Sequence, residues 1–311
     1  MTHTAIRITA PAKVNLHLAV GAVRDDGYHT VDTVLQSLAF GDTVTIETAP
    51  AFEFSCTADL GIADEDNLAF RAAHAMAKRF GRALEVRIEV EKLVPAGAGL
   101  GGASADAAAV IVGLAAWWGI GSDDPALVEV AAALGADVPF FLQGGAASFT
   151  GRGDVLVGMH RPLDAAIVLI KPDSPIATAD AYTAFDRIEH DEAPAVAPLI
   201  EALESGSRIG VAHSLYNAMT GSSLLLVPSI GDALSLAGGC GGVIGSEMAG
   251  SGSAVFGICQ SEAAAEACAA RARSGGMWAA VTRTSAVGCV VSRVESPVEP
   301  SIESSVVPLV E

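Results

Sequence analysis

Positive charge is what this 311-residue chain has least of: 18 Lys plus Arg stand against 36 Asp plus Glu, a formal net charge of −18. Gripping a nucleic-acid backbone or an anionic membrane surface requires a broad basic face. The expectation is therefore no nucleic acid and no membrane as partner. A phosphorylated small molecule stays open, because helix N-termini, backbone amides and a few local cations bind phosphate against an unfavourable overall field. Also missing is any C-x-x-C spacing among the five cysteines. That absence argues against a zinc site or a disulfide framework and for reduced core thiols. Residues 1–15 carry polar side chains throughout and lack the apolar core of a signal peptide. The most apolar run, Ala107 to Gly121, is shorter than the roughly 18–20 residues that cross a bilayer. A cytoplasmic protein, monomer or homodimer, is expected.

What the chain has in quantity is apolar material, 51% hydrophobic residues against 17% charged, enough for a sizeable core. Its length suits two lobes sharing a cleft. Residues 5–20 alternate imperfectly and predict a strand pair interrupted at Pro11. A turn is expected at Asp25-Asp26-Gly27, and a hairpin at Gly41-Asp42 between Val31–Ala39 and Asp42–Thr48. Asn67–Phe80 has helical spacing, with Asp64, Asp66 or Asn67 available as cap. Glu85–Glu91 alternates as a half-buried strand does. Helices are predicted over Ser104–Trp118 and Pro125–Gly135, and strands over Gly144–Phe149 and Ala165–Ile170. Further helical stretches lie near Ala177–Phe185, Val196–Leu203 and Glu262–Arg273. Glu295–Glu311, rich in Ser, Pro and Glu, is expected to be a disordered tail.

The chemical signal is the run Pro95-Ala96-Gly97-Ala98-Gly99-Leu100-Gly101-Gly102-Ala103-Ser104 between a strand and a long helix. Four glycines let backbone approach an anion closely, and the free amides of the following helix point positive charge at it. Gly97, Gly99 and Gly102 also fit G-x-G-x-x-G, with Asp123 and Asp124 about 20 positions on. The charged alternation of the preceding strand opposes that reading, since the first strand of a dinucleotide-binding unit is buried on both faces. No lysine follows Gly102, which excludes a Walker A loop. A phosphate-neutralising cation must come from elsewhere in the fold or from Mg²⁺.

Three further segments complete a pattern. They are Ala10-Pro11-Ala12-Lys13-Val14-Asn15-Leu16 with Asp26-Gly27-Tyr28-His29 and Gln36, Gly135-Ala136-Asp137-Val138-Pro139, and Met248-Ala249-Gly250-Ser251-Gly252-Ser253. With the glycine loop, this set resembles the GHMP kinases over most of residues 5–258. It departs from the family loop at Ala103 and Ala105, which leave Ser104 as the sole hydroxyl, and at Leu35, where a phenylalanine is common. The resemblance implies an α+β, two-lobed GHMP kinase fold. Residues 1–164 would form a β-rich, ATP-binding N-terminal lobe with the catalytic residues, and 165–294 a C-terminal α+β lobe, with the active site in the cleft between them.

The resemblance also implies roles. Lys13 and Asp137 would be catalytic, Asp137 orienting or deprotonating the substrate hydroxyl and Lys13 stabilising charge at the γ-phosphate. ATP would lie on Asn67 and on Pro95, Ala96, Gly97, Ala98, Gly99, Leu100, Gly101, Gly102, Ala103 and Ser104, with Ser104 also reaching Mg²⁺ and Asp106 a weaker candidate in the same turn. Within the family, the first segment is similar to the branch that phosphorylates a small alcohol carrying a cytidine diphosphate group. That branch would place substrate on Asn15, Tyr28, His29, Thr178, Tyr182, Gly250 and Ser251, with Tyr28 stacking on the base. A family kinase for another alcohol, such as homoserine or mevalonate, is the alternative. From the residues alone, Asp137 and Asn67 suit helix N-caps equally well.

Overall fold

The computed structural model describes residues 5–293, so the stretch expected as a tail lies outside the described residues. The chain opens with two long antiparallel strands, β1 (Ala5–Val23) and β2 (His29–Thr48), joined at the expected Asp-Asp-Gly turn. Pro11 does not end the first strand, nor does Gly41-Asp42 turn the second. Pro11 lies opposite Gly41, and the register shifts between Pro11 and Lys13. A Cβ on Gly41 would stand 2.1 Å from the Ala10 carbonyl oxygen. The two supposed breaks are facing halves of one irregularity in a continuous pair, the form in which sheets tolerate such residues. Just past it the Lys13 N–H donates to the Leu100 carbonyl at 2.9 Å, which ties β1 to the glycine loop.

The first lobe continues with β3 (Glu53–Cys56), α1 (Leu68–Phe80), β4 (Val86–Glu91), α2 (Gly102–Trp118), α3 (Pro125–Leu134), α4 (Val138–Gln143), β5 (Ala146–Thr150) and β6 (Val155–His160). α1 starts where Asn67 accepts from the Ala69 N–H and stops at Gly81, whose φ of 61° is left-handed. α2 is apolar on every side because it is covered on every side, packing on β1, α1 and α4. Gly113 sets its approach to the sheet: a Cβ there would meet Ile8 and Ile46 Cδ1 atoms at 2.7 Å.

The second lobe holds β7 (Ala166–Lys171), α5 (Thr178–Phe185), α6 (Ala197–Ser205), α7 (Arg208–His213), β8 (Tyr216–Asn217), α8 (Thr220–Leu226), α9 (Ser229–Gly238), β9 (Val243–Met248), β10 (Val255–Cys259), α10 (Glu262–Ser274) and β11 (Trp278–Arg283). The last described strand, β12 (Val290–Arg293), returns to pair with β1. Among the described residues the first sheet runs β12-β1-β2-β4-β3, with β5, β6 and β8 attached, and the second runs β11-β7-β10-β9. β7 and β10 are buried on both faces, which explains their unbroken apolar runs. One face, including Val168 and Ile170, packs with residues of α9 and α10. The other sets Ile167, Leu169, Phe256 and Ile258 in one core with Val14, Leu16, Val34 and Leu38 of the first sheet. That shared core fixes the lobes against each other beside the glycine loop.

Candidate functional site

The glycine loop forms one wall of the site, and its glycines are required. Gly97, Gly99 and Gly101 have φ of 61°, 72° and 77°, the left-handed region that glycine enters at little cost. A Cβ on Gly99 would sit 1.9 Å from the Ala249 carbonyl oxygen, and one on Gly101 would sit 2.9 Å from Cγ of Lys13. The adjoining wall is the turn Gly250–Ser253 after β9, in direct contact with the first. Ser253 and Ala254 donate their N–H groups to the carbonyls of Gly97 and Ala98 at 3.2 and 3.1 Å. Asn217, buried on β8, donates to the Met248 and Gly250 carbonyls at 2.9 and 2.8 Å and so holds that turn from behind. Carbonyls of both loops are thereby engaged inside the protein, while the first amides of α2 have no partner within their own helix.

Lys13 lies between these walls, buried to 4% exposure. Its Nζ donates to Asn15 Oδ1 at 2.7 Å and lies 3.7 Å from Asp137 Oδ2. A Cβ on Gly250 would be 3.1 Å from the same Nζ, so the cation faces the second loop as well. Asn15 donates in turn to Thr33 Oγ1 at 2.9 Å, and Thr33 donates to the His17 carbonyl at 2.6 Å. Asn15 therefore acts in this structure as the orienter of Lys13. Asp137 occupies the position before α4 but makes no capping hydrogen bond, and its carboxylate is 36% exposed. Helix capping thus does not account for Asp137. It does account for the Asn67 side-chain oxygen.

Ser104 belongs to the first turn of α2 rather than its cap, which is Gly101 without a side-chain hydrogen bond. Two residues on, Asp106 is buried against Lys92, whose ammonium lies 2.6 Å from Asp106 Oδ2 and also pairs with Asp42. Burial pushes the Asp106 carboxyl up to about 7, and the pull of Lys92 does not cancel this because Asp42 shares that cation. Burial also works against the Lys92 charge, yet the two carboxylates hold its pKa above the ordinary lysine value. Asp106 Oδ1 has no hydrogen-bond partner among the described residues. Asp42 also accepts from the Val94 N–H at 2.7 Å, so this group fastens the lead-in to the glycine loop. Lys92 was not singled out from the sequence, although it directly follows the alternating strand in a lysine-poor chain.

Along the site, α5 brings Thr178 and Tyr182 to the same mouth. Thr178 Oγ1 lies 3.1 Å from Ser251 Oγ. Burial raises the Tyr182 pKa, with the Asp137 charge adding to the rise. His29 stacks on Tyr182 with centroids 5.2 Å apart at 22°. Tyr28, 58% exposed, turns its ring toward Arg152, whose guanidinium lies 5.3 Å from the ring centroid. Leu35 and Gln36 are fully buried. Leu35 belongs to the first-lobe core, and Gln36 bridges backbone at Gly145, Leu163 and Ser285. Arg152, Phe185, Asp186 and Asn217 were all missed from the sequence, because each reaches the site through tertiary packing alone.

A lysine–carboxylate pair between a glycine-rich helix start and a second tight loop can align a hydroxyl with a phosphoryl group and neutralise developing charge. Among the described residues no helix is long and apolar enough to cross a membrane, and no cluster of three or more His, Cys, Asp or Glu is placed to hold a metal. A divalent ion carried mainly by phosphates needs no such cluster. The Ser104 hydroxyl and neighbouring carboxylates are the donor types it takes.

Residues 67–145 match the GHMP kinases N terminal domain, and residues 195–276 match the GHMP kinases C terminal domain. The 4-diphosphocytidyl-2-C-methyl-D-erythritol kinase of Desulfitobacterium hafniense (strain Y51) is 39% identical over 290 residues, covering 91% of this chain and 97% of its own length. A crystal structure of 4-(cytidine 5'-diphospho)-2C-methyl-D-erythritol kinase superposes with a TM-score of 0.77 at 33% identity, over 89% of this chain and 98% of that one. A homoserine kinase from Cytophaga hutchinsonii shares the fold at 18% identity, TM-score 0.73, over 94% and 98% of the two chains. Matches in both lobes, together with relatives alike over nearly their whole length, show that the chain belongs to the GHMP kinase family.

Proposed function

We propose that the protein transfers the γ-phosphate of ATP to the tertiary 2-hydroxyl of 4-diphosphocytidyl-2-C-methyl-D-erythritol, a step of isoprenoid precursor biosynthesis. The observation that carries this is the meeting of Lys13, Asp137 and both glycine-rich loops at one point, with Tyr182 and His29 alongside. The relatives named above add the substrate.

In this reading ATP lies along Pro95–Ser104 with Asn67 near its nucleoside end, and the α2 amides take the phosphates. Mg²⁺, where bound, would neutralise phosphate charge, and Ser104 would reach it. Asp137 accepts the hydroxyl proton or orients that hydroxyl, and Lys13 stabilises the charge that builds between hydroxyl and phosphorus. Asn15 keeps Lys13 aimed. The cytosine lies against Tyr28, His29 and Tyr182, while Thr178, Gly250 and Ser251 face the diphosphate portion. The catalytic lobe comprises residues 1–164 and its partner lobe 165–294, from which β12 returns to the first sheet, and the working compartment is the cytoplasm.

ADP release with ATP, Mg²⁺ and a panel of alcohols tests the reading. Turnover of the cytidylyl alcohol well above mevalonate and homoserine is expected. Turnover of mevalonate or homoserine in its place would overturn the substrate.

A further inference from the structure

Asp186, which belongs to none of the motifs above, is the residue after α5 and, among the described residues, the one carboxylate paired with His29: its Oδ1 lies 3.1 Å from His29 Nε2. The opposite ring nitrogen, Nδ1, lies 2.9 Å from the Gly21 carbonyl oxygen. A carbonyl only accepts, so Nδ1 donates. With Nδ1 donating, Nε2 donates to Asp186 when the ring carries both protons, and the imidazolium is then gripped at both nitrogens, by β1 of the first lobe and by the end of α5 in the second. It is held face-on to Tyr182 and edge-on to Phe185, whose centroid is 5.8 Å away at 85°. Phe185 is backed by His190, stacked at 3.5 Å and fixed by its Nε2 contact to the Phe185 carbonyl.

The His29 side chain is 9% exposed and the Asp186 carboxylate 51%. A contact so exposed on one side contributes little to stability even when both partners are charged. What Asp186 supplies is orientation, because a ring already fixed loses less freedom when a ligand arrives. We propose that Asp186 is a positioning residue of the nucleobase pocket, holding the His29 ring in the place from which it stacks on Tyr182. This rests on the cytidylyl-alcohol reading for its substrate, but the grip itself exists without substrate.

The test uses the full-length protein with Asp186→Ala, Asp186→Asn, His29→Ala and the Asp186→Ala/His29→Ala double variant. An asparagine amide can serve either protonation state of Nε2, whereas alanine serves neither. Asp186→Ala should raise KM for the cytidylyl alcohol by about three- to tenfold, the range expected for one side chain that must be ordered on binding. KM for ATP should change less than twofold. Asp186→Asn should restore most of the loss, and the double variant should be no worse than His29→Ala alone. An unchanged KM in Asp186→Ala, an Asn variant as impaired as the Ala one, or losses that multiply in the double variant would each overturn the proposal. A second readout needs no turnover: NMR contacts between the His29 and Tyr182 rings in the nucleotide-free protein. They should persist in Asp186→Asn and vanish in Asp186→Ala; their persistence in Asp186→Ala refutes the grip. If the cytidylyl alcohol is not a substrate at all, the functional reading fails by itself and the ring contacts decide this one.

Discussion

Nζ of Lys13 lies 3.7 Å from the Asp137 carboxylate while it donates to Asn15 at 2.7 Å, so a buried ammonium is aimed at an accessible acid. Removing either member should abolish charge stabilisation at the transferring group and leave most of the fold. Lys13→Met and Asp137→Asn are each expected to lower kcat by roughly 10²-fold or more. Circular dichroism should show an unchanged fold. Near-native turnover in either variant would discard the assignment.

Gly99 meets the Ala249 carbonyl where no Cβ fits, and its φ is left-handed. Gly99→Ala should cost about 1–2 kcal/mol from the backbone alone. Thermal unfolding should drop by several degrees, and KM for ATP should rise more than KM for the alcohol if the displaced loop is the one that takes the phosphates. Equal effects on both substrates would mean that the two loops merely hold the lobes together.

Asp106 gives a pH signature. Its folded-state pKa, about 7, lies above the ordinary 3.8, so the folded protein holds this proton more tightly than the unfolded chain. Where the folded state binds more protons, stability falls as pH rises. This contribution is therefore full below about pH 4 and lost as pH climbs toward 7. Asp106→Asn cannot titrate, and its melting temperature should decline less between pH 5 and pH 8 than that of the parent. An identical decline in both proteins would contradict the assignment.

Tyr28 is exposed, so its replacement should be nearly neutral for stability. Stacking on a base contributes roughly 1–3 kcal/mol. Tyr28→Ala should raise KM for a cytidylyl substrate by about fivefold or more and leave KM for ATP alone. A KM that stays put would remove Tyr28 from the pocket.

Legibility in the sequence followed how local each determinant is. α1 was readable because Asn67, the apolar spacing and Gly81 all lie within the helix and its flanks. The glycine loop was readable for the same reason. Pro11 and Gly41 were misread as breaks because their effects cancel only when they face each other across two strands. β6 escaped notice since Val155, Leu156, Val157 and Met159 are all largely exposed and carry no alternation. Lys13 and Asp137 came from motif resemblance, but the orienting role of Asn15 and the hold of Asn217 on the Gly250 turn needed three dimensions.

A crystal structure with a non-hydrolysable ATP analogue and Mg²⁺ tests the central claim most directly. The account predicts phosphates lying on the amides at the start of α2, with the terminal phosphorus facing Lys13 Nζ and the Asp137 carboxylate. An analogue bound away from residues 97–104, or a terminal phosphorus out of reach of both side chains, would contradict it.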